Sequence, residues 1–257
     1  MQCNVCEAVS EPFASATVMS KYQIAYYRCS ACKFIQTERP YWLEEAYSEA
    51  LSTLDVGVMF RNLLNVDSTS AVVSLVFPKA ASFVDYAGGY GTFVRMMRDR
   101  GFEFNWYDLY AKNLHSRGFE HTLGRRYDLL TAFEVLEHLV NPVDDFGEML
   151  ELSDNILVST EVVPEPTPLP PHWWYYTLKS GQHISFYSSQ SLQVLASKFK
   201  LNLISRNPLH LFTRNKVGIS ERLRFRIATN RKTIPIVNRF HRRPSLMWDD
   251  FRKLSDD

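Results

Sequence analysis

The sequence has 257 residues, 46% of them apolar and 22% charged, with 29 Lys/Arg against 28 Asp/Glu. That composition excludes general disorder, and the near-neutral total excludes a protein that binds nucleic acid over its whole surface. No apolar run reaches the roughly 18–20 residues of a membrane span, and the start Met1-Gln2-Cys3 has neither the basic nor the apolar region of a signal peptide, so a cytoplasmic protein is expected.

The first element is read from cysteine. Cys3-x2-Cys6 and Cys29-x2-Cys32 hold all four cysteines of the chain. Each knuckle lets two thiolates take adjacent corners of a tetrahedron, and two knuckles complete the four-thiolate cage that Zn2+ prefers. β-Prone residues between them (Ala16-Thr17-Val18, Ile24-Ala25-Tyr26-Tyr27) predict a zinc ribbon over 1–37. A disulfide framework is the weaker reading in a reducing compartment. Such a closed structural site supports folding or docking, not chemistry.

A helical lead-in is expected over 38–80, and then strand, glycine turn, helix and strand over 81–128. Ser82–Asp85 is a short apolar run ending in an acid, followed by Tyr86-Ala87-Gly88-Gly89-Tyr90-Gly91. Phe93, Val94, Met96 and Met97 form a helical stripe ending near Gly101, and Phe104, Trp106 and Tyr107 lead into Asp108. Glycines let such a loop approach a ligand closely, with a helix N-terminus facing it. A carboxylate at the tip of the second strand can accept from both ribose hydroxyls, which makes Asp108 the candidate ribose ligand. A dinucleotide fingerprint starting at Gly89 fails, because Val94 stands where the third glycine belongs.

Asp85-Tyr86-Ala87-Gly88-Gly89-Tyr90-Gly91 resembles the first motif of class I S-adenosylmethionine-dependent methyltransferases, an acid followed by G-x-G-x-G. Ala87 occupies the first glycine position, a departure expected to make the turn less tolerant without abolishing binding. Arg126–Pro142, with Phe133-Glu134-Val135-Leu136-Glu137-His138 at its centre, resembles the fourth-strand motif of the same superfamily. The likeness is greatest to its ubiquinone-biosynthesis O-methyltransferase branch and to related sugar and small-molecule methyltransferases. Tyr41–Tyr47 and Asp55–Asn62 look like the helical lead-in of that branch, and the resemblance spans roughly 40–210. It implies S-adenosylmethionine as cofactor, with Asp85, Ala87, Gly88, Gly89, Gly91 and Asp108 in its crevice and Phe133 near the adenine or methionine moiety. Arg61 is implied as the partner of the cofactor carboxylate. Glu134, Glu137 and His138 look like the divalent-metal cluster of some members, although many relatives keep such residues without metal.

Farther on, Asn155–Thr160 is an apolar run suited to a buried strand. The prolines of 163–171 exclude regular structure and build a stiff loop, which opens into Trp173-Trp174-Tyr175-Tyr176 and Gly181–Tyr187. In doubly wound folds ligands lie beyond the carboxyl ends of the strands, where this loop is expected. A helix near 191–199 and a closing strand pair, Leu201–Ile204 and Leu209–Thr213, complete the domain.

Methyl transfer is mostly orientation of a carbon already activated by a sulfonium, and a base matters when the acceptor is an un-ionised hydroxyl or a C–H. His183 is the first candidate for that base and His138 the second; the plainer alternatives are a loop-fixing and a helix-capping histidine. Trp173, Trp174, Tyr175 and Tyr176 are candidates to stack on a sugar or aromatic ring, or are ordinary core aromatics.

The last segment, 214–257, carries 12 Lys/Arg against 5 Asp/Glu, a net of +7, and leaves the rest of the chain at −6. Interleaved apolar residues (Leu223, Phe225, Ile227, Ile234, Ile236, Val237) favour a docked tail.

The sequence therefore predicts a Rossmann-like α/β class I methyltransferase fold, with a mainly parallel seven-stranded sheet over 81–213. A structural Zn2+ ribbon precedes it and a basic extension follows. The expected activity is methylation of a small molecule, a hydroxyl or carbon of a sugar or polysaccharide precursor. The rivals are an RNA-directed methyltransferase, suggested by the ribbon and the tail, and a non-catalytic docking protein. The acidic body and the absence of a basic–aromatic strip by the cofactor motif argue against RNA.

Overall fold

The N-terminal cysteines are spaced by an antiparallel hairpin, β1 (Ser10–Val18) and β2 (Tyr22–Cys29), with Val18 opposite Tyr22. Its turn places Met19 and Ser20 at φ 54° and 57°, closed by the Lys21 N–H donating to the Val18 carbonyl at 3.0 Å. Two positive φ values match the right-handed twist of the flanking strands. The computed structural model describes residues 1–47 and 55–256; residues 48–54 of the expected lead-in and residue 257 of the tail lie outside them.

β3 (Ile35–Thr37) adds antiparallel to β2, and β8 (Ser185–Phe186), from the far end of the proline-rich loop, adds antiparallel to β3. The ribbon sheet thus has the order β1-β2-β3-β8. Val18, Ile24, Tyr26, Ile35, Tyr176 and Phe186 form its core together with Trp42, whose indole Nε1 donates to the Gly181 carbonyl at 2.8 Å. A four-residue helix, α1 (Leu43–Ala46), follows Trp42.

The larger sheet begins with β4 (Phe83–Tyr86), which pairs in parallel with both β5 (Phe104–Tyr107) and β6 (Leu129–Phe133). β7 (Asn155–Ser159) and the antiparallel pair β9 (Asn202–Arg206) and β10 (Leu209–Thr213) complete the order β5-β4-β6-β7-β10-β9. This is the expected Rossmann-like α/β architecture, with six strands among the described residues instead of seven. Beyond β5 the seventh position is reduced to a single parallel bridge, Trp106 to Glu120. Between Asp108 and Tyr127 the chain forms no helix or named strand, and its Gly118 and Gly124 both sit at positive φ.

The helices are α2 (Val58–Val76), α3 (Thr92–Asp99), α4 (Pro142–Leu152), α5 (Ser189–Lys198), α6 (Ile219–Ala228), α7 (Ile234–Phe240) and α8 (Met247–Ser255). α5 is opened by a reciprocal capping box between Ser188 and Ser191. Among the described residues no helix is long and apolar enough to cross a membrane.

Contacts group the chain into two compact units. One comprises residues 1–54, 134–148 and 158–214, the ribbon with the loops that extend it. The other comprises residues 55–133, 149–157 and 215–257, and contains the glycine turn. In the second unit α6 and α7 pack on α2. α8 is fastened to α3 by Asp250, which accepts from Arg98 Nε at 2.8 Å and pairs with Arg95 at 2.8 Å.

Candidate active site

Parallel pairing of β4 with β5 and β6 brings the carboxyl ends of all three strands to one edge, where Asp85, the glycine turn, Asp108 and Phe133 gather. The turn is pinned at each step. Gly88 N–H donates to the Tyr107 carbonyl at 3.1 Å, and Trp106 Nε1 donates to the Gly89 carbonyl at 2.8 Å. A Cβ on Gly88 would stand 2.9 Å from Trp106 Cδ1 and 3.0 Å from Asp85 Oδ2, so only glycine lets the loop lie this close to β5. Gly91, the N-cap of α3, has φ 79°, and a Cβ there would lie 2.2 Å from Ser116 Oγ. Ala87 sits at φ 55°, the left-handed region that the family motif fills with glycine. Beside Gly89, a Cβ would meet nothing within 4 Å, and this is the open side of the turn.

Asp108 points at that turn. Its Oδ2 accepts from Gly89 N–H at 2.9 Å, and its Oδ1 accepts from the N–H groups of Tyr110 and Ala111 at 2.8 Å each. A carboxylate accepts about four hydrogen bonds, so the clasp leaves Oδ2 one more, in an orientation already fixed. Asp85 is buried behind the turn, and Thr131 Oγ1 donates to its Oδ1 at 2.6 Å. Burial, and secondarily the Asp108 charge, push the Asp85 carboxyl up to about 7. Phe133 closes β6 with its ring edge-on to Phe93 at 5.1 Å. An open flank at Gly89, a preset acceptor and an aromatic wall suit the adenosyl group of S-adenosylmethionine. Arg61, by contrast, is placed in an ion pair with Asp55 at 2.5 Å.

In the ribbon unit the remaining candidates fall into two groups. Glu137, His138 and His183 come together, with one ligand atom from each within 4.8 Å of the others. His183 Nδ1 lies 2.8 Å from the Tyr175 carbonyl, which can only accept, so Nδ1 is the donor of that pair. The His138 and His183 rings meet edge to face at 4.8 Å, and His138 Nδ1 lies 2.8 Å from the Tyr47 hydroxyl and 3.0 Å from the Gln182 carbonyl. Glu137 is fully buried. The Tyr175 hydroxyl is held well above its ordinary range by burial and then by the charges of Glu137 and Glu134, so it stays a donor. Glu134 turns away from this group: it sits at φ 55°, and its Oε1 accepts from Ser159 Oγ at 2.7 Å. Of the aromatic run, Tyr175 and Tyr176 are core residues, Trp173 is half-buried, and Trp174 is 69% exposed.

Tyr47, Trp106 and Ser116 were not found by sequence reasoning. Trp106 alone left a trace, as an aromatic placed two residues before the strand-tip acid.

The four cysteines form the other group. Their sulfurs all lie within 4.8 Å, with Cys3 to Cys32 at 3.6 Å and Cys6 to Cys29 at 3.4 Å. A Zn–S distance of about 2.3 Å gives tetrahedral edges of roughly 3.8 Å, which this cage fits. The two knuckles repeat one geometry. Cys3 N–H donates to the Ala8 carbonyl at 2.9 Å and Cys29 N–H to that of Phe34 at 2.8 Å, while Glu7 and Lys33 take φ 67° and 62°. Val5 and Cys32 N–H each donate to a cysteine sulfur at 3.4 Å. Hydrogen bonding from Cys32, against the effect of burial, draws the Cys3 thiol down to about 5, a thiolate ready to ligate.

Residues 61–206 match the methyltransferase domain family. This is more than half of the chain, and the chain belongs to that family, within the class I S-adenosylmethionine-dependent methyltransferases. It is a methyltransferase that uses S-adenosylmethionine as methyl donor. Solved structures are similar to the chain. An O-methyltransferase family protein from Burkholderia thailandensis is 15% identical, with 69% of this chain and 68% of that one covered at a TM-score of 0.45. The plantazolicin methyltransferase BpumL, in complex with a monoazolic desmethylPZN analog and SAH, is 12% identical, with 77% and 87% covered at a TM-score of 0.47. Human N-acetylserotonin methyltransferase in complex with SAM is 13% identical, with 68% and 66% covered at a TM-score of 0.42. No curated protein matches the chain.

Proposed function

We propose that the chain methylates a hydroxyl, or a carbon, of a small-molecule acceptor, a sugar or polysaccharide precursor, with His183 as the base. The observation that carries this reading is the cluster itself: His183 Nδ1 donates to the Tyr175 carbonyl, and one ligand atom from each of His183, His138 and the buried Glu137 lies within 4.8 Å of the others. S-adenosylmethionine supplies an electrophilic methyl on a sulfonium. The glycine turn from Asp85 to Gly91 cradles the donor, Asp108 accepts from its ribose, and Phe133 walls the adenosyl group. His183 would take the acceptor proton as the acceptor–methyl bond forms and the sulfur–methyl bond of the donor breaks, with the electron pair staying on sulfur and S-adenosylhomocysteine leaving. Glu137 stabilises the imidazolium through its charge, and His138 orients the ring. Trp174, the exposed member of the aromatic run, offers its face to an acceptor ring. Cys3, Cys6, Cys29 and Cys32 hold a structural Zn2+.

The test follows labelled methyl groups from the donor into sugar-nucleotide and polysaccharide-precursor fractions, with wild type and His183→Ala. Label should enter a sugar fraction. His183→Ala should lower turnover by about 10²–10⁴-fold while donor affinity holds. Equal loss of turnover and donor affinity would give His183 a structural role, and label in RNA alone would replace the acceptor class.

A further inference from the structure

The tail's 12 Lys/Arg and 5 Asp/Glu become three helices that share one plan. Their inner faces are anchored within the glycine-turn unit. Phe225 and Ala228 of α6 and Ile234 and Val237 of α7 are buried, and Asp250 ties α8 to Arg95 and Arg98. Their outer faces carry large apolar side chains. Ile219 and Leu223, one turn apart on α6, are exposed, Ile219 to 88%, with Arg222 and Arg226 at helical spacing from them. On α7, Ile236 and Phe240 (80% exposed) line an open groove of about 450 Å³ with Pro235 and Arg239. On α8, Trp248 (67% exposed) meets Phe251 edge to face at 6.0 Å, next to Arg252 and Lys253.

The segment's acids, exposed Asp256 among them, offset this charge only in part and leave a net of +7. Glu221 accepts from Gly218 N–H to cap α6, Asp249 pairs with Arg252, and Asp250 is buried. The outward surface is therefore apolar and cationic together.

We propose that the outer faces of α6 and α7, which pack on α2 and on each other, dock on an anionic lipid bilayer. Exposed Ile, Leu and Phe gain by entering the boundary between head groups and acyl chains, while the guanidinium groups beside them stay at the level of lipid phosphates. A nucleic-acid backbone offers the same phosphates but no apolar phase for Ile219, Leu223 and Ile236. A second copy apposing the same faces would meet its own segment's net charge of +7.

The test is co-sedimentation of the full chain with vesicles of phosphatidylcholine alone and of phosphatidylcholine mixed with phosphatidylglycerol. The protein should bind the mixed vesicles, ignore the neutral ones, and come off as salt is raised. Arg222→Glu with Arg239→Glu should weaken binding by at least about 25-fold, since each basic residue near such a surface contributes about fivefold. Ile236→Ser with Phe240→Ser should weaken it about tenfold or more. All four side chains are exposed, so both variants should melt as wild type does. Binding to neither vesicle, equal binding to both, or binding that neither variant weakens would overturn the proposal. So would salt-dependent retention on single-stranded RNA without vesicle binding, or a dimer abolished by the serine variant without vesicle binding. No methyl donor is present, so the outcome is independent of the catalytic reading.

Discussion

The two units of this chain solve opposite problems. In the glycine-turn unit the residues proposed to hold the cofactor lie within 49 consecutive positions, from Asp85 to Phe133, on three adjacent parallel strands and the loops that follow them. In the ribbon unit the zinc cage and the histidine cluster are drawn from segments far apart in sequence, 1–54, 134–148 and 158–214. The first kind of site is built by local turns that backbone hydrogen bonds hold. The second exists only when long-range pairing and metal binding have ordered it. Perturbations should therefore cost the ribbon unit its fold, and the glycine-turn unit its geometry or its charge balance.

The largest effect expected is on the ribbon. Apparent zinc-binding energies of about 10–16 kcal/mol are folding energy in small zinc modules. Chelation, or Cys3→Ser, should lower the melting temperature and release one equivalent of zinc by metal analysis. A melting curve unmoved by chelator would remove zinc from the account.

Next comes the tie between α8 and α3. Asp250→Ala leaves Arg98, 8% exposed, without its charge partner, and should cost about 3–5 kcal/mol in urea unfolding. A loss under about 1 kcal/mol would mean that α8 is a passive appendage.

A pH-dependent effect, smaller per pH unit, is expected at Asp85. Its carboxyl is raised to about 7 by burial, so between its ordinary value of 3.8 and 7 the folded chain binds a proton that the unfolded chain has already released. Stability falls as pH rises through that window, by up to about 1.4 kcal/mol per unit, and the penalty is absent below it. Asp85→Asn should flatten that slope, measured as unfolding free energy from pH 4 to 8. An unchanged slope would place the proton elsewhere.

The smallest effect belongs to Ala87. Glycine at its φ of 55° relieves roughly 1 kcal/mol of left-handed strain. Ala87→Gly should raise the melting temperature slightly, and a fall would show that the alanine methyl is packed to advantage.

The same contrast decides what the sequence revealed. The apolar run into Asp85, the glycines, the α3 stripe and the alternation into Asp108 are local signals, and each element lies where it was read. Cysteine spacing likewise exposed the knuckles, because a tetrahedral cage needs two thiolates from each tight turn. β8 was not readable: two residues, Ser185 and Phe186, have no periodicity, and their pairing with β3 spans the length of the domain. The resemblance groups Glu137 with Glu134 and His138. The left-handed backbone at Glu134 instead sends one carboxylate to Ser159 and the other into the core. The seventh strand survives among the described residues only as the bridge from Trp106 to Glu120, which leaves no run of alternation to read. Tyr175 and Tyr176 look alike in sequence to Trp174, and only packing separates two core rings from one exposed ring.

Donor grip and proton removal are assigned to different units, so one titration separates them most directly. Calorimetry with S-adenosylhomocysteine should give equal affinities for wild type and His183→Ala, and about tenfold or greater weakening for Asp108→Ala, which loses a charged acceptor at the ribose. Undiminished affinity in Asp108→Ala, or lost affinity in His183→Ala, would contradict the account.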